Sequence, residues 1–140
     1  MKPKVFVALF FATLMVAFAA CSKEEKNPEK DIIGSWKATS ITHTETYVDQ
    51  THTTSEIIEG DNRITFGGDK ILTATTDGDT VGIGSWRFED GHLLVTPCGI
   101  LMHLGQKPIM PDVDGSDMTL TTNETVNHVE KTVIMKLKKV

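Results

Sequence analysis

Cysteine is almost missing from this chain. There are two in 140 residues, Cys21 and Cys98, too few for a disulfide framework. Helical periodicity is missing as well: after the first 20 residues no apolar stripe of period 3.6 runs for ten residues or more. The five histidines, at 43, 52, 92, 103 and 128, show no metal-ligand spacing such as H-x-x-x-H, so no metal and no cofactor is expected. No Gly-x-Ser-x-Gly, P-loop, Cys-x-x-Cys or dinucleotide fingerprint occurs. Two carboxylates at a glycosidase-like separation can always be found among 19 acids, so their presence argues nothing. Excess positive charge is lacking too: 14 basic residues against 19 acidic ones give a net charge of −5. That balance disfavours nucleic acid and bare anionic membrane as partners. Catalysis is not expected.

The one strongly apolar run stands at the N-terminus. Lys2 and Lys4 precede Val5–Ala20, which is broken only by Thr13 and ends Phe18-Ala19-Ala20-Cys21. Sixteen residues fall short of the about 20 that a membrane span needs, and small residues before a cysteine have the look of a processing site. The Ala-Ala-Cys run resembles a bacterial lipobox, with Phe18 standing where that motif carries an aliphatic residue. The resemblance implies a signal peptide at 1–20 and lipid on Cys21. A diacyl or triacyl Cys21 carries more than one chain, which suffices for stable anchoring. Removing residues 1–20 takes away two lysines and no acid, leaving 12 basic against 19 acidic residues and a charge of −7. Attachment to a membrane therefore falls to the lipid. Cys98 is then a lone thiol, read as a small apolar residue, since neither His92 nor His103 completes a recognisable cysteine-hydrolase signature.

Residues 22–31, Ser-Lys-Glu-Glu-Lys-Asn-Pro-Glu-Lys-Asp, have no side chain to bury and read, with Cys21, as a charged flexible tether over 21–31. Glu24-Glu25 after Ser-Lys resembles the signal that sends lipoproteins of Bacteroides-group bacteria to the cell surface. It implies an outer-membrane protein facing outward, with the periplasmic face as the alternative.

A folded domain is expected over 32–140. Its centre is Ile64–Thr96, where short β-branched and apolar runs alternate with Gly-Gly-Asp, Asp-Gly-Asp and Glu-Asp-Gly. Gly and Asp tolerate the positive φ of tight hairpins, so this stretch predicts four strands in an antiparallel meander. Ahead of it, Thr42–Thr54 reads either as a strand with one wet face or as a long loop. After it, Pro97 breaks the ladder, and Cys98–Met110 reads as a strand, a lid-like loop or a helical turn. Residues 111–116 and 124–127 read as turns. Met118 and Leu120 alternate with Thr119 and Thr121, and Val133, Met135 and Leu137 with Ile134, Lys136 and Lys138, both at period two. About eight strands in roughly 110 residues, joined by short local loops, predict a small antiparallel up-and-down β-barrel.

Ile-Ile-Gly-Ser-Trp at 32–36 is similar to the Gly-x-Trp entry of lipocalins. Ile-Thr-Phe-Gly-Gly-Asp-Lys, Gly-Ser-Trp-Arg-Phe-Glu-Asp-Gly-His-Leu and Met-Thr-Leu-Thr resemble lipocalin-like lipoproteins of Bacteroides-group bacteria. The resemblance spans nearly all of 32–140 and implies a barrel on a lipid tether, without a reaction. Gly-Ser-Trp occurs twice, at 34–36 and 84–86. Each Trp reads as a core plug; alternatively Trp36 closes one end of the barrel while Trp86, with Phe88, lines its interior. A buried indole N–H needs a partner, and Thr and Ser on neighbouring strands are the expected ones. The interior is expected to be lined by Trp36, Phe66, Leu72, Trp86, Phe88, Met118, Leu120, Met135 and Leu137. Small eight-stranded barrels either fill that space with side chains or hold one ligand.

Asp112-Val-Asp-Gly-Ser-Asp117 fails as an EF-type calcium loop, which needs Gly where Asp117 stands and Glu where Asn123 stands. Asp77-Gly78-Asp79 reads as a hairpin turn. Asp79-Thr80-Val81 resembles an O-glycosylation acceptor triplet of Bacteroides-group exported proteins, at Thr80. The functional expectation is a monomeric, lipid-anchored envelope protein that binds a small apolar ligand. The alternative is a packed-core module that binds a protein or glycan on its outside, at Thr42–Thr54 or Cys98–Met110.

Overall fold

The computed structural model describes residues 27–140. The expected signal peptide, Cys21 and Glu24-Glu25 lie outside the described residues. What is described is all-β apart from two short helical segments. A helical turn α1 (Pro28–Asp31) comes first. It is followed by β1 (Gly34–Thr46), β2 (Thr51–Ile57), β3 (Asn62–Phe66), β4 (Ile71–Thr76), β5 (Asp79–Glu89) and β6 (His92–Val95). A 3-10 helix (Gly99–Leu104) then leads to β7 (Met110–Asp114), β8 (Asp117–Val126) and β9 (Val129–Lys139).

All pairings are antiparallel, in the order β6-β5-β4-β3-β1-β9-β8-β7, with β2 added on β1. The two ends of that row meet at one bridge. Leu93 N–H donates to the Ile109 carbonyl at 2.8 Å and Ile109 N–H to the Leu93 carbonyl at 2.9 Å. Eight strands thus form a nearly closed up-and-down barrel, as expected. The four strands of the meander are β3 to β6. Two of its turns, Asp77-Gly78 and Asp90-Gly91, hold both residues at positive φ, the conformation whose twist matches paired antiparallel strands.

Several expectations change in detail. The tether does not run to Asp31: Asn27 caps α1 through its side chain, Pro28 starts the turn, and Glu29 pairs with Lys70. Fixed φ at Pro28 and a capping Asn27 offset the missing apolar side chain. Residues 111–114 are not a turn but part of β7, where Pro111 is accommodated because β7 pairs along its length with β8 only. A strand edge tolerates the missing N–H. Residues 124–126 belong to β8, and its turn is Asn127-His128. Thr42–Thr54 is neither a lone strand nor a loop. It is the outer half of a hairpin, because β1 continues to Thr46 and β2 returns from Thr51. The open choice for Cys98–Met110 resolves into the 3-10 helix and the connection to β7.

Gly34 sits at φ +132, a backbone shape that side chains disfavour. That bend sets Trp36 inward at the barrel's entry. Trp36 and Ala38 point in. Thr39 is then an extra residue against β9, and inward pointing resumes at Ile41. This bulge bends β1. Its first half pairs with β3 and its second with β2, so the β1–β2 hairpin leaves the barrel wall.

The core is one apolar cluster that includes Ile32, Ile41, Ile64, Leu93 and Ile109 besides the expected residues. The 3-10 helix adds Leu101 and Leu104, both buried. Among the described residues no buried side-chain polar atom lacks a hydrogen bond.

Candidate functional site

The nine residues expected to line the interior divide unequally. Trp36, Phe66, Leu72, Trp86, Met118, Leu120, Met135 and Leu137 are each at most 2% exposed and belong to the common core. Phe88 is half-buried at its margin. Such low exposure places these eight side chains within the packed core. The two indoles behave as buried donors, but with other partners than the expected hydroxyls. Trp36 Nε1–H donates to the Ile32 carbonyl at 2.8 Å and Trp86 Nε1–H to the Gly67 carbonyl at 3.0 Å. Both partners are backbone groups of chain turning at the barrel's rim, which strand alternation cannot reveal.

Phe66, Trp86 and Phe88 form a row of edge-to-face rings. Their centroids are 5.7 and 6.4 Å apart and both interplanar angles are 86°. The row leads out of the core into a cleft of about 710 Å³ lined by Trp86, Phe88, Val95, Pro97 and the chain around them. That volume lies in the range of small-molecule sites. Four charged side chains border it: Lys70, Arg87, Lys107 and Glu29. Lys70 Nζ stands 4.2 Å from the Trp86 ring centroid, a cation–π distance, and pairs with Glu29. Arg87 meets Glu89 at 3.3 Å and Lys107 meets Glu124 at 2.6 Å. All three pairs are more than a third exposed, and pairs of that kind contribute about 1 kcal/mol or less. They hold the cations near the cleft and release them cheaply.

Two glycines shape this region. Gly82 and Gly84 leave room on the inner face of β5 for the chain that follows β6. A Cβ on Gly82 would lie 2.6 Å from Cys98 Cβ, and one on Gly84 2.8 Å from the Thr96 carbonyl oxygen. Thr96–Cys98 therefore crosses over β5, and Thr96 N–H donates to the Ser85 carbonyl at 2.9 Å. That crossing sets one wall of the cleft and delivers the 3-10 helix to the barrel mouth.

Ser85 Oγ lies 3.1 Å from Thr96 Oγ1, a hydroxyl and not a base. Cys98 is buried, and burial pushes its thiol pKa up, away from the reactive thiolate. Among the described residues no three His, Cys, Asp or Glu side chains converge as metal ligands, and no helix is long and apolar enough to cross a membrane. Asp61, held below the usual carboxylate range by its hydrogen bond to Arg63 2.8 Å away, is a partly exposed turn residue. A second, smaller hollow of about 320 Å³ lies over Thr39, Met118 and Leu137.

Sequence reasoning found Trp86 and Phe88 and missed Lys70, Lys107 and Glu29. Those three lie up to 78 positions apart, between Glu29 and Lys107, and only closure of the barrel brings them together. No protein-family model matches the chain, and no curated protein matches its sequence.

Proposed function

We propose that this chain is a lipocalin-like, lipid-anchored protein of the cell envelope that binds, without catalysis, a small ligand with an apolar body and an anionic end. The observation that carries this reading is the cleft at Trp86 and Phe88: an aromatic floor bordered by three cations and one carboxylate, in a chain whose net charge is −5. An apolar body would cover Phe88 and Val95, and an anionic head would take Lys107 or Lys70 from its exposed acidic partner. The proposed site thus shares Trp86 and Phe88 with the expected interior lining and leaves the other seven residues to the core. Cys21 would carry the lipid, and Glu24-Glu25 favours the outer face of the outer membrane.

Dodecanoate tests the binding reading. Calorimetric titration should show saturable binding that weakens at least about tenfold, or about 1.4 kcal/mol, in Lys107→Glu, where the cation becomes a like charge. Phe88→Ala should weaken it by a similar factor. Absence of saturable binding to the unaltered chain by dodecanoate, together with no small molecule co-purifying by mass spectrometry, would leave the second reading. That reading is a packed-core module engaging a protein or glycan from outside, and it is favoured by the eight buried residues. The anchor is tested separately: Cys21→Ala should move the protein out of the membrane fraction, and unchanged fractionation would refute it.

A further inference from the structure

All seven residues of β2 are exposed. On one side β2 is hydrogen-bonded to β1, from Ser40↔Ile57 to Thr46↔Thr51. The strand that would continue the sheet on its other side stops short. The β3–β4 ladder ends at Asn62↔Thr76, and Asp77 N–H closes on the Asp61 carbonyl at 2.9 Å. Among the described residues the outer edge of β2 is therefore unpaired over its whole length.

The ladder also shows which residues own that edge. Tyr47 N–H donates to Gln50 at 2.8 Å and Ile58 N–H to Thr39 at 3.0 Å, so Gln50 and Ile58 turn their backbone groups toward β1. Antiparallel pairing alternates: His52, Thr54 and Glu56 also face β1, while Thr51, Thr53, Ser55 and Ile57 direct N–H and C=O outward. Exposed edges are ordinarily guarded by lysine, proline or a bulge. The open side of β7 carries Pro111; β2, Thr-His-Thr-Thr-Ser-Glu-Ile, carries neither Lys nor Pro.

The geometry points to a second copy of this chain as the occupant of that edge, paired antiparallel about a twofold axis at Thr54. In this register Thr53 and Ser55 of one copy face Ser55 and Thr53 of the other in hydrogen-bonded pairs. Thr51 faces Ile57 of the second copy in the same way. His52 then lies opposite Glu56 of the second copy in a close, non-hydrogen-bonded pair, and the twofold repeats that imidazole–carboxylate contact. Glu45, the cross-strand neighbour of His52 on β1, adds a second carboxylate beside the imidazole. Sliding by two residues keeps the hydrogen-bond parity but separates His52 from Glu56. Charge complementarity thus selects the register centred on Thr54, and β-strand addition supplies the affinity through about eight main-chain hydrogen bonds. Two barrels would share one continuous sheet through their projecting hairpins, in place of the expected monomer.

Cysteine cross-linking in the full chain tests this. Thr54→Cys sets two thiols across the axis, and mild copper–phenanthroline oxidation should give a reducible dimer about tenfold more abundantly than Thr53→Cys, whose thiols lie beyond disulfide reach. The unaltered chain controls for Cys21 and Cys98. Thr53→Pro removes an outward N–H and no bond to β1, so it should abolish the cross-link in a Thr54→Cys background while the melting temperature holds. Should that proline disturb the hairpin, His52→Glu sets like charges across the axis and should weaken the dimer, and adding Glu56→His should restore it. Equal cross-linking at 53 and 54, a dimer indifferent to both Thr53→Pro and His52→Glu, or capture of a different protein in place of the second copy each overturns the proposal.

Discussion

Gly82 and Gly84 are small because another part of the chain occupies the space of their side chains. Thr96 and Cys98 stand where each Cβ would go, so Gly82→Ala and Gly84→Ala should each cost about 1–3 kcal/mol, the usual range for overpacking. Gly68 meets nothing within 4 Å, and Gly68→Ala should stay within about 0.5 kcal/mol of the unaltered chain. Urea unfolding of the three variants checks this; equal losses at all three would mean that the crossing is not what demands glycine. The sequence displays Gly-Ile-Gly plainly, yet the reason for it lies further along the chain, at Thr96 for Gly84 and at Cys98 for Gly82. The buried Cys98 belongs to the same contact. Because burial raises its pKa, its share of stability is present below the ordinary thiol range and is lost as pH rises toward the folded value.

The hairpins differ in how well their residues suit their turns. Asp77-Gly78 has a glycine where φ is +89, whereas Asn127-His128 places His128 at φ +66. Left-handed backbone costs a non-glycine residue about 1–2 kcal/mol, partly offset by the extra freedom glycine has when unfolded. His128→Gly should therefore stabilise the protein by about 0.5–1 kcal/mol, and Gly78→Ala should destabilise it by about 1 kcal/mol. Thermal melts of the pair decide; a destabilised His128→Gly would show that the imidazole contributes more than its backbone strain costs. Asp77-Gly78 was legible in the sequence because turn chemistry is local, whereas the turn expected over 124–127 lies at Asn127-His128, where no glycine marks it. β1 was not legible, since its outer half, Thr42–Thr46, is polar on both faces: His43 and Glu45 continue the inner side and Thr42, Thr44 and Thr46 the outer. Thr42 and Ser55 hydroxyls lie 3.0 Å apart across the hairpin. Pairing with β2 and β9 makes that segment a strand; hydrophobic alternation, absent there, does not.

The barrel as a whole is least secure where its ends meet. Long ladders join β1, β9 and β8, while β6 and β7 share the Leu93–Ile109 bridge. Local opening follows the fewest bonds. Amide exchange at Leu93 and Ile109 should be at least about tenfold faster than along the β1–β9 ladder, a difference of about 1.4 kcal/mol. Val95 and Lys107, beside that seam, line the cleft, so dodecanoate should slow exchange there and leave β1–β9 unchanged. Uniform protection around the ring would place the weak point elsewhere.

Gly-Asp turns and period-two alternation act between neighbours along the chain, and they suffice to specify the meander, the all-β class and eight buried members of the core. The sequence also singled out Trp86 and Phe88. Tertiary structure decided the rest. The bulge at Thr39 divides β1 between barrel and projecting hairpin, backbone carbonyls take both indole N–H groups, and closure gathers Glu29, Lys70 and Lys107 around one aromatic row. Each depends on contacts between distant residues, and a contact formed by two segments is written in neither of them alone.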